Sequence, residues 1–148
     1  MEEELDTRHV AGIIPLAGFE TDLKMFPQHP SLTPIGENYV AIERSLVECA
    51  YAGCKTIWVV VDDEWQPIIR DRLGEFIPDP MTLNKAAFTR FPSEHYKHIP
   101  IFYVPISPKD KDKRDSFAWS IVHGCLSSFI TSSRISKWAS PDKYYVSS

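Results

Sequence analysis

Two short runs, Val10-Ala11-Gly12-Ile13-Ile14 and Thr56-Ile57-Trp58-Val59-Val60-Val61, are apolar at nearly every position. A strand with one face in water alternates apolar and polar residues, whereas a strand covered on both faces is apolar throughout. The two runs therefore call for a buried sheet with helices on either side. Between them, Ile42, Leu46, Val47 and Ala50 recur at helical spacing, with Asn38 as the expected N-cap, Ala52 near the end and Gly53 as the stop. Strand, helix and strand in that order give a parallel pair joined by a crossover.

The rest of the chain repeats the alternation. Asp62-Asp63-Glu64 is expected to cap a second helix near Trp65 to Leu73, and Gly74 to His98 reads as a long connection with one short helix or strand. Ile99 to Ile106 forms a third strand, Ser116 to Ser132 a third helix that reaches toward Trp138, and Lys143 to Ser147 a fourth strand. The expectation is one α/β domain, 1–148, with a Rossmann-like, mainly parallel sheet of strand order 3-2-1-4 and helices on both faces. A chain of 148 residues is long enough for this, since a domain of that size buries roughly 70% of the surface its unfolded form exposes. That order places a topological switch between the first and fourth strands, and ligands bind beyond the carboxyl ends of strands at such a point. The segment from Leu16 to Gly36, with Pro27, Pro30 and Pro34, leaves the first strand there, and connections of about twenty residues are uncommon unless they serve a function.

Composition narrows the function classes. A formal charge of −4 argues against a nucleic-acid surface, which carries a basic face. No apolar run approaches the ~20 residues of a membrane span, and Met1-Glu2-Glu3-Glu4 is unlike the basic start of a signal peptide, so a cytoplasmic location without a membrane partner is expected. Cys49, Cys54 and Cys125 lack metal-ligand spacing and read as buried free thiols. His95, His98 and His123 are too scattered for a metal motif, and Trp58, Trp65, Trp119 and Trp138 read as core or interface anchors.

The stretch Ile13-Ile14-Pro15-Leu16-Ala17-Gly18 through Thr21 and Leu23, then Pro30, Leu32, Pro34-Ile35, Ile42-Glu43, Leu46, Ala52-Gly53-Cys54 and Ile57 to Val61, resembles the opening of the sugar-phosphate nucleotidyltransferases. That family begins with a strand ending L-A-G-G-x-G-T-R-L, continues through P-K-x-L-x-P-I and a helix from I-E to A-G, and enters a strand I-x-V-V. The likeness covers about the first sixty residues in order and spacing; later segments agree only in pattern. It implies the nucleotide-diphospho-sugar transferase fold, a nucleotide or sugar phosphate as ligand, and magnesium as cofactor. The implied reaction is attack of a sugar phosphate on the α-phosphorus of a nucleoside triphosphate, with backbone amides, cations and the metal neutralising phosphate charge.

Carried over residue by residue, the resemblance puts Leu16, Ala17 and Gly18 against phosphate through their backbone, with Thr21, Asp22 and Lys24 behind them. The chain departs from the pattern at Gly18, which is followed by Phe19-Glu20, at Asp22, where the family has its arginine, and at Pro30 or Ser31, where it has its lysine. The family's metal-binding aspartate follows the fourth strand, where this sequence reads Val146-Ser147-Ser148: a fragment, or a chain lacking that metal site. Two readings follow. The first is a nucleotidyltransferase-like protein that binds a nucleoside triphosphate or nucleotide sugar; the second is a non-catalytic domain acting in partner binding or self-association, with a homodimer as its simplest form. Considered alone, Asp22, Lys24 and His29 read as solvated loop residues, and Leu16-Ala17-Gly18 as a strand ending in a turn. Asp62 and Asp63 read as helix caps, with a metal or ribose contact as the other reading. The run Lys109 to Arg114 reads as a solvated face because its charges nearly cancel. The serines Ser127, Ser128, Ser132 and Ser133 point to a close-packed or subunit-facing helix.

Overall fold

Alternation along one strand sets how the layers stack. In β4 (Thr56–Asp62), Ile57, Val59 and Val61 join one buried cluster while Trp58 and Val60 join another, because successive side chains leave opposite faces of a sheet. Both faces are covered, which is why the run carries no alternating polar residue. A computed structural model of the chain describes residues 9–16, 29–80, 98–106, 117–135 and 141–147. Its five-stranded sheet runs β5 (Phe76–Pro78), β6 (His98–Ile106), β4, β1 (Val10–Pro15), β7 (Lys143–Val146). The last four are mutually parallel, and β5 pairs antiparallel with β6 at one edge. The class is therefore α/β with a mostly parallel sheet.

The first face holds Ile14, Leu16, Ile57, Val59, Val61, Ile99 and Ile101 under α1 (Ala41–Tyr51) and α2 (Gln66–Leu73), which contribute Ile42, Leu46, Cys49, Ala50 and Ile69. On the second face Ala11, Ile13, Trp58, Val60, Val104 and Ile106 lie under α3 (Phe117–Ile135). Trp58 is buried there, stacked on Phe102 at 4.3 Å between ring centroids. α3 reaches the sheet with small residues: Ser120, Gly124, Ser128 and Ser132, all buried, recur every fourth position. A β-carbon on Gly124 would stand 2.8 Å from Val60 Cγ2 and 2.9 Å from Ile13 Cγ2, so the glycine is what permits this approach.

α1 ends as the sequence predicts. Gly53 adopts φ +85°; its N–H donates to the Ala50 carbonyl and the Cys54 N–H donates to the Cys49 carbonyl, the paired bonds of a Schellman stop. The hydrophobic contact such a stop carries is here a thiol pair. Cys49 and Cys54 are buried and free of disulfides, and the bond between their side chains together with burial holds the Cys49 thiol well above its ordinary pKa.

Two expectations need correction. Asn38 is not the N-cap of α1: it has φ +52° in the tight turn of a hairpin between β2 (Pro34–Gly36) and β3 (Tyr39–Val40), and the helix starts after Val40. Glu43 performs the capping instead, its carboxylate accepting from the Val40 N–H at 3.0 Å. Asp62-Asp63-Glu64 do not cap α2, whose N-cap is Trp65 without a side-chain bond; the Trp65 N–H donates to the Asp62 carbonyl in the turn before it. The connection after Gly74 contributes the short element expected of it as a strand, β5, and residues 81–97 lie outside the described residues.

Candidate functional site

The chain leaves β1 at its carboxyl end, beside the carboxyl end of β4, and the Leu16 N–H extends the ladder by donating to the Val60 carbonyl at 2.8 Å. The next described residue, His29, comes back to the same place. Its Nε2 lies 3.1 Å from the Leu16 carbonyl, its Nδ1 lies 2.8 Å from Ser31 Oγ, and the Ser31 N–H donates to Nδ1 at 3.2 Å. The imidazole stands edge-on to Trp65, with 5.6 Å between ring centroids, and only 6% of the residue is exposed. Leu16 and His29, thirteen positions apart, are thus clasped together, and the ends of the intervening segment are fixed on the rim of the sheet.

Chemistry determines the protonation state of the clasp. A carbonyl only accepts, so Nε2 must carry the proton; Nδ1 receives the Ser31 N–H and must be bare. Both contacts are satisfied by one neutral tautomer. Burial pulls the His29 pKa below its ordinary value, while the Leu16 carbonyl and the charge of Asp62 pull weakly the other way. With both ring nitrogens engaged, His29 acts as a structural clasp. Ser31 is buried as the partner of His29, in a short 3-10 turn, Pro30–Leu32, that hands the chain to the β2–β3 hairpin. The Ala41 N–H donates to the Thr33 carbonyl at 2.9 Å and sets α1 against that turn.

Of the residues the sequence nominates, Leu16 is described and sits at this rim, 7% exposed, with its backbone engaged on both sides. Ala17, Gly18, Thr21, Asp22 and Lys24 lie outside the described residues. The reading of His29 as a solvated loop residue is corrected: its aromatic ring fills the rim between Leu16 and Trp65. Asp62, at the end of β4, lies close enough for its charge to act on His29. Sequence reasoning missed the clasp because a histidine between Gln28 and Pro30 carries no local signal of a partner thirteen residues earlier. No protein-family model, curated protein or solved structure matches this chain. The site must therefore be judged on its own geometry.

Two cavities lie away from the rim. One, about 350 Å³ and mostly apolar, opens between α1 and α2 beside β5, with the Glu43–Arg72 ion pair at its edge. The other, about 410 Å³, lies along the outer edge of β6 between Arg70 of α2 and Thr131 of α3. Near it the Tyr103 hydroxyl donates to the Gly74 carbonyl at 2.6 Å, and burial pushes the phenol up to about 12. Among the described residues no group of three or more His, Cys, Asp or Glu side chains is arranged to hold a metal ion.

Proposed function

We propose that the chain binds a nucleotide or sugar phosphate at the carboxyl rim of β1 and β4, beside Leu16 and His29. The observation that carries this reading is the reversal of layers on the two sides of β4. The chain leaving the carboxyl end of β1 passes to α1 on one face, whereas the chain leaving the carboxyl end of β6, on the far side of β4, passes to α3 on the other. Connections that diverge in this way leave a crevice at the carboxyl end of the strand between them. The clasp supports the reading as well: it fixes Leu16 and His29 at the rim before a ligand arrives, and groups already held in place cost less entropy on binding.

The neighbouring order of the parallel strands, together with the Leu16-Ala17-Gly18 sequence that resembles the family's, supports a nucleotide-diphospho-sugar transferase type of fold. Magnesium fits as the counter-ion of the phosphates and not in a protein cage: the ion ordinarily uses one or two carboxylates plus substrate oxygens, and Asp62 stands at this rim. When bound, it would neutralise phosphate charge that a chain of net charge −4 otherwise repels. Transfer chemistry is not proposed, because Asp22 and Pro30 or Ser31 occupy the positions where the resembling family has its cations. A thermal-shift series with the four common nucleoside triphosphates and simple sugar phosphates, with and without magnesium, tests the proposal. A ligand at 100 times its dissociation constant adds about 2.7 kcal/mol, a readily measured rise in Tm. No shift with any member of the series refutes it. A second role, self-association, is favoured by a separate observation on α3.

A further inference from the structure

α3 is built inside out for a helix that ends at solvent. Its sheet-facing stripe is Ser120, Gly124, Ser128 and Ser132, whereas its outward face carries Val122, Leu126, Phe129 and Ile130, exposed by 46%, 52%, 48% and 49%. The spacing of these four, i, i+4, i+7 and i+8, is that of one continuous apolar ridge. Beside it, β7 adds Tyr144 and Val146, 38% and 39% exposed, which share a face of the sheet; they pair in parallel register with Ala11 and Ile13, whose side chains lie under α3, and so that face adjoins the helix. In the sequence of α3, Arg134 is the single permanently charged residue.

We infer that this ridge is the contact through which two copies of the chain pair about a two-fold axis. The area agrees with that occupant. Six large side chains about half exposed present on the order of 500 Å². A standard interface takes about 800 Å² from each partner with a core about 65% apolar, which is an apolar need of the same size. A lipid surface fits poorly: helices that lie on membranes set a basic polar face opposite the apolar one, and here the opposite face is serine and glycine packed on the sheet. No helix among the described residues is long and apolar enough to cross a membrane. A ridge without charge holds nothing to select a foreign partner, yet it is complementary to itself when two helices cross antiparallel. In that pairing Leu126, midway along the ridge, meets Leu126 of the second copy, and Val122 meets Ile130.

Light scattering coupled to gel filtration, at micromolar protein, measures the mass directly. The wild-type chain is expected to elute at twice the chain mass, and Leu126→Glu combined with Phe129→Glu at the chain mass with an unchanged circular dichroism spectrum. Ile68→Glu, an equally exposed apolar position on α2, should leave the dimer intact. Should the double variant fail to fold, Leu126→Cys in a Cys125→Ala background provides the second measurement: diamide takes up the two thiol protons and two electrons and leaves a disulfide between copies. A monomeric wild type overturns the inference, including one that instead sediments with phosphatidylcholine vesicles. So does a dimer that survives Leu126→Glu with Phe129→Glu, or an absence of Leu126→Cys cross-linking. None of these outcomes bears on ligand binding at the rim, which is read by a different assay.

Discussion

Replacing Gly124 with alanine opposes two effects of known size. In the interior of a 19-residue helix, alanine is favoured over glycine by about 1 kcal/mol on backbone grounds alone. Against this, the added carbon would stand 2.8 Å from Val60 Cγ2 and 2.9 Å from Ile13 Cγ2. Those methyls sit on β-branched side chains of two central strands, both at 0% exposure, so neither can swing aside as the tip of a long side chain would. Relief must come from lifting α3 away from the sheet, and overpacking of this kind costs about 1–3 kcal/mol. Packing outweighs propensity: the net expectation is a loss of up to about 2 kcal/mol, which for a domain of this size lowers Tm by up to about 8 °C. Urea titration followed by circular dichroism should show a lower midpoint with an unchanged slope, and Gly124→Val should be worse than Gly124→Ala. A variant more stable than wild type by the full propensity gain would show that α3 does not approach β1 and β4 closely, and would refute this account of the second layer.

His29 gives a pH dependence with a definite sign. Its folded pKa lies below the ordinary 6.5, so the unfolded chain binds more protons just below that pH; the stability it contributes is complete above 6.5 and is lost as pH falls through the depressed value. His29→Gln, which cannot titrate, should show a smaller fall in Tm between pH 7.5 and 5 than wild type, by differential scanning fluorimetry. Gly53→Ala should cost about 1–2 kcal/mol through backbone conformation alone, since φ is +85° and nothing stands within 4 Å of the new carbon; chemical denaturation measures it, and a cost near zero would remove the left-handed stop. Tyr103→Phe should cost about 1 kcal/mol by losing the bond to the Gly74 carbonyl, and spectrophotometric titration of wild type should show one tyrosine ionising only near pH 12, absent from the variant.

The central strands were legible in the sequence because a short run rich in β-branched and aromatic residues, Ile-Trp-Val-Val-Val, suits a doubly covered strand, and Gly53 marks a left-handed stop that few other residues adopt. The start of α1 was misread because asparagine serves equally as an N-cap and as a turn residue with positive φ. Two residues of hairpin, Glu37-Asn38, decided for the turn, and a hint lay in Glu43, placed to cap Val40 three residues earlier. At the rim the backbone role of Leu16 followed from the end of a buried strand. The burial of His29 did not, because it depends on contacts to Leu16 and Trp65, and no local period encodes contacts that distant. The serines of α3 mark it as a close-packing helix, yet which side of it carries the large apolar residues outward is set by how it docks on β1 and β4.

The inner stripe of α3 makes the two cladding layers unequal in strength. α1 and α2 are anchored by branched aliphatic side chains sunk into the sheet, whereas α3 offers hydroxyls, one of which is already satisfied within its own helix: Ser128 donates to the Cys125 carbonyl. Solvent entry should therefore begin on that side, with the amides of α3 exchanging ahead of those of β4, and covering its outer ridge would act as a brace on the weaker wall.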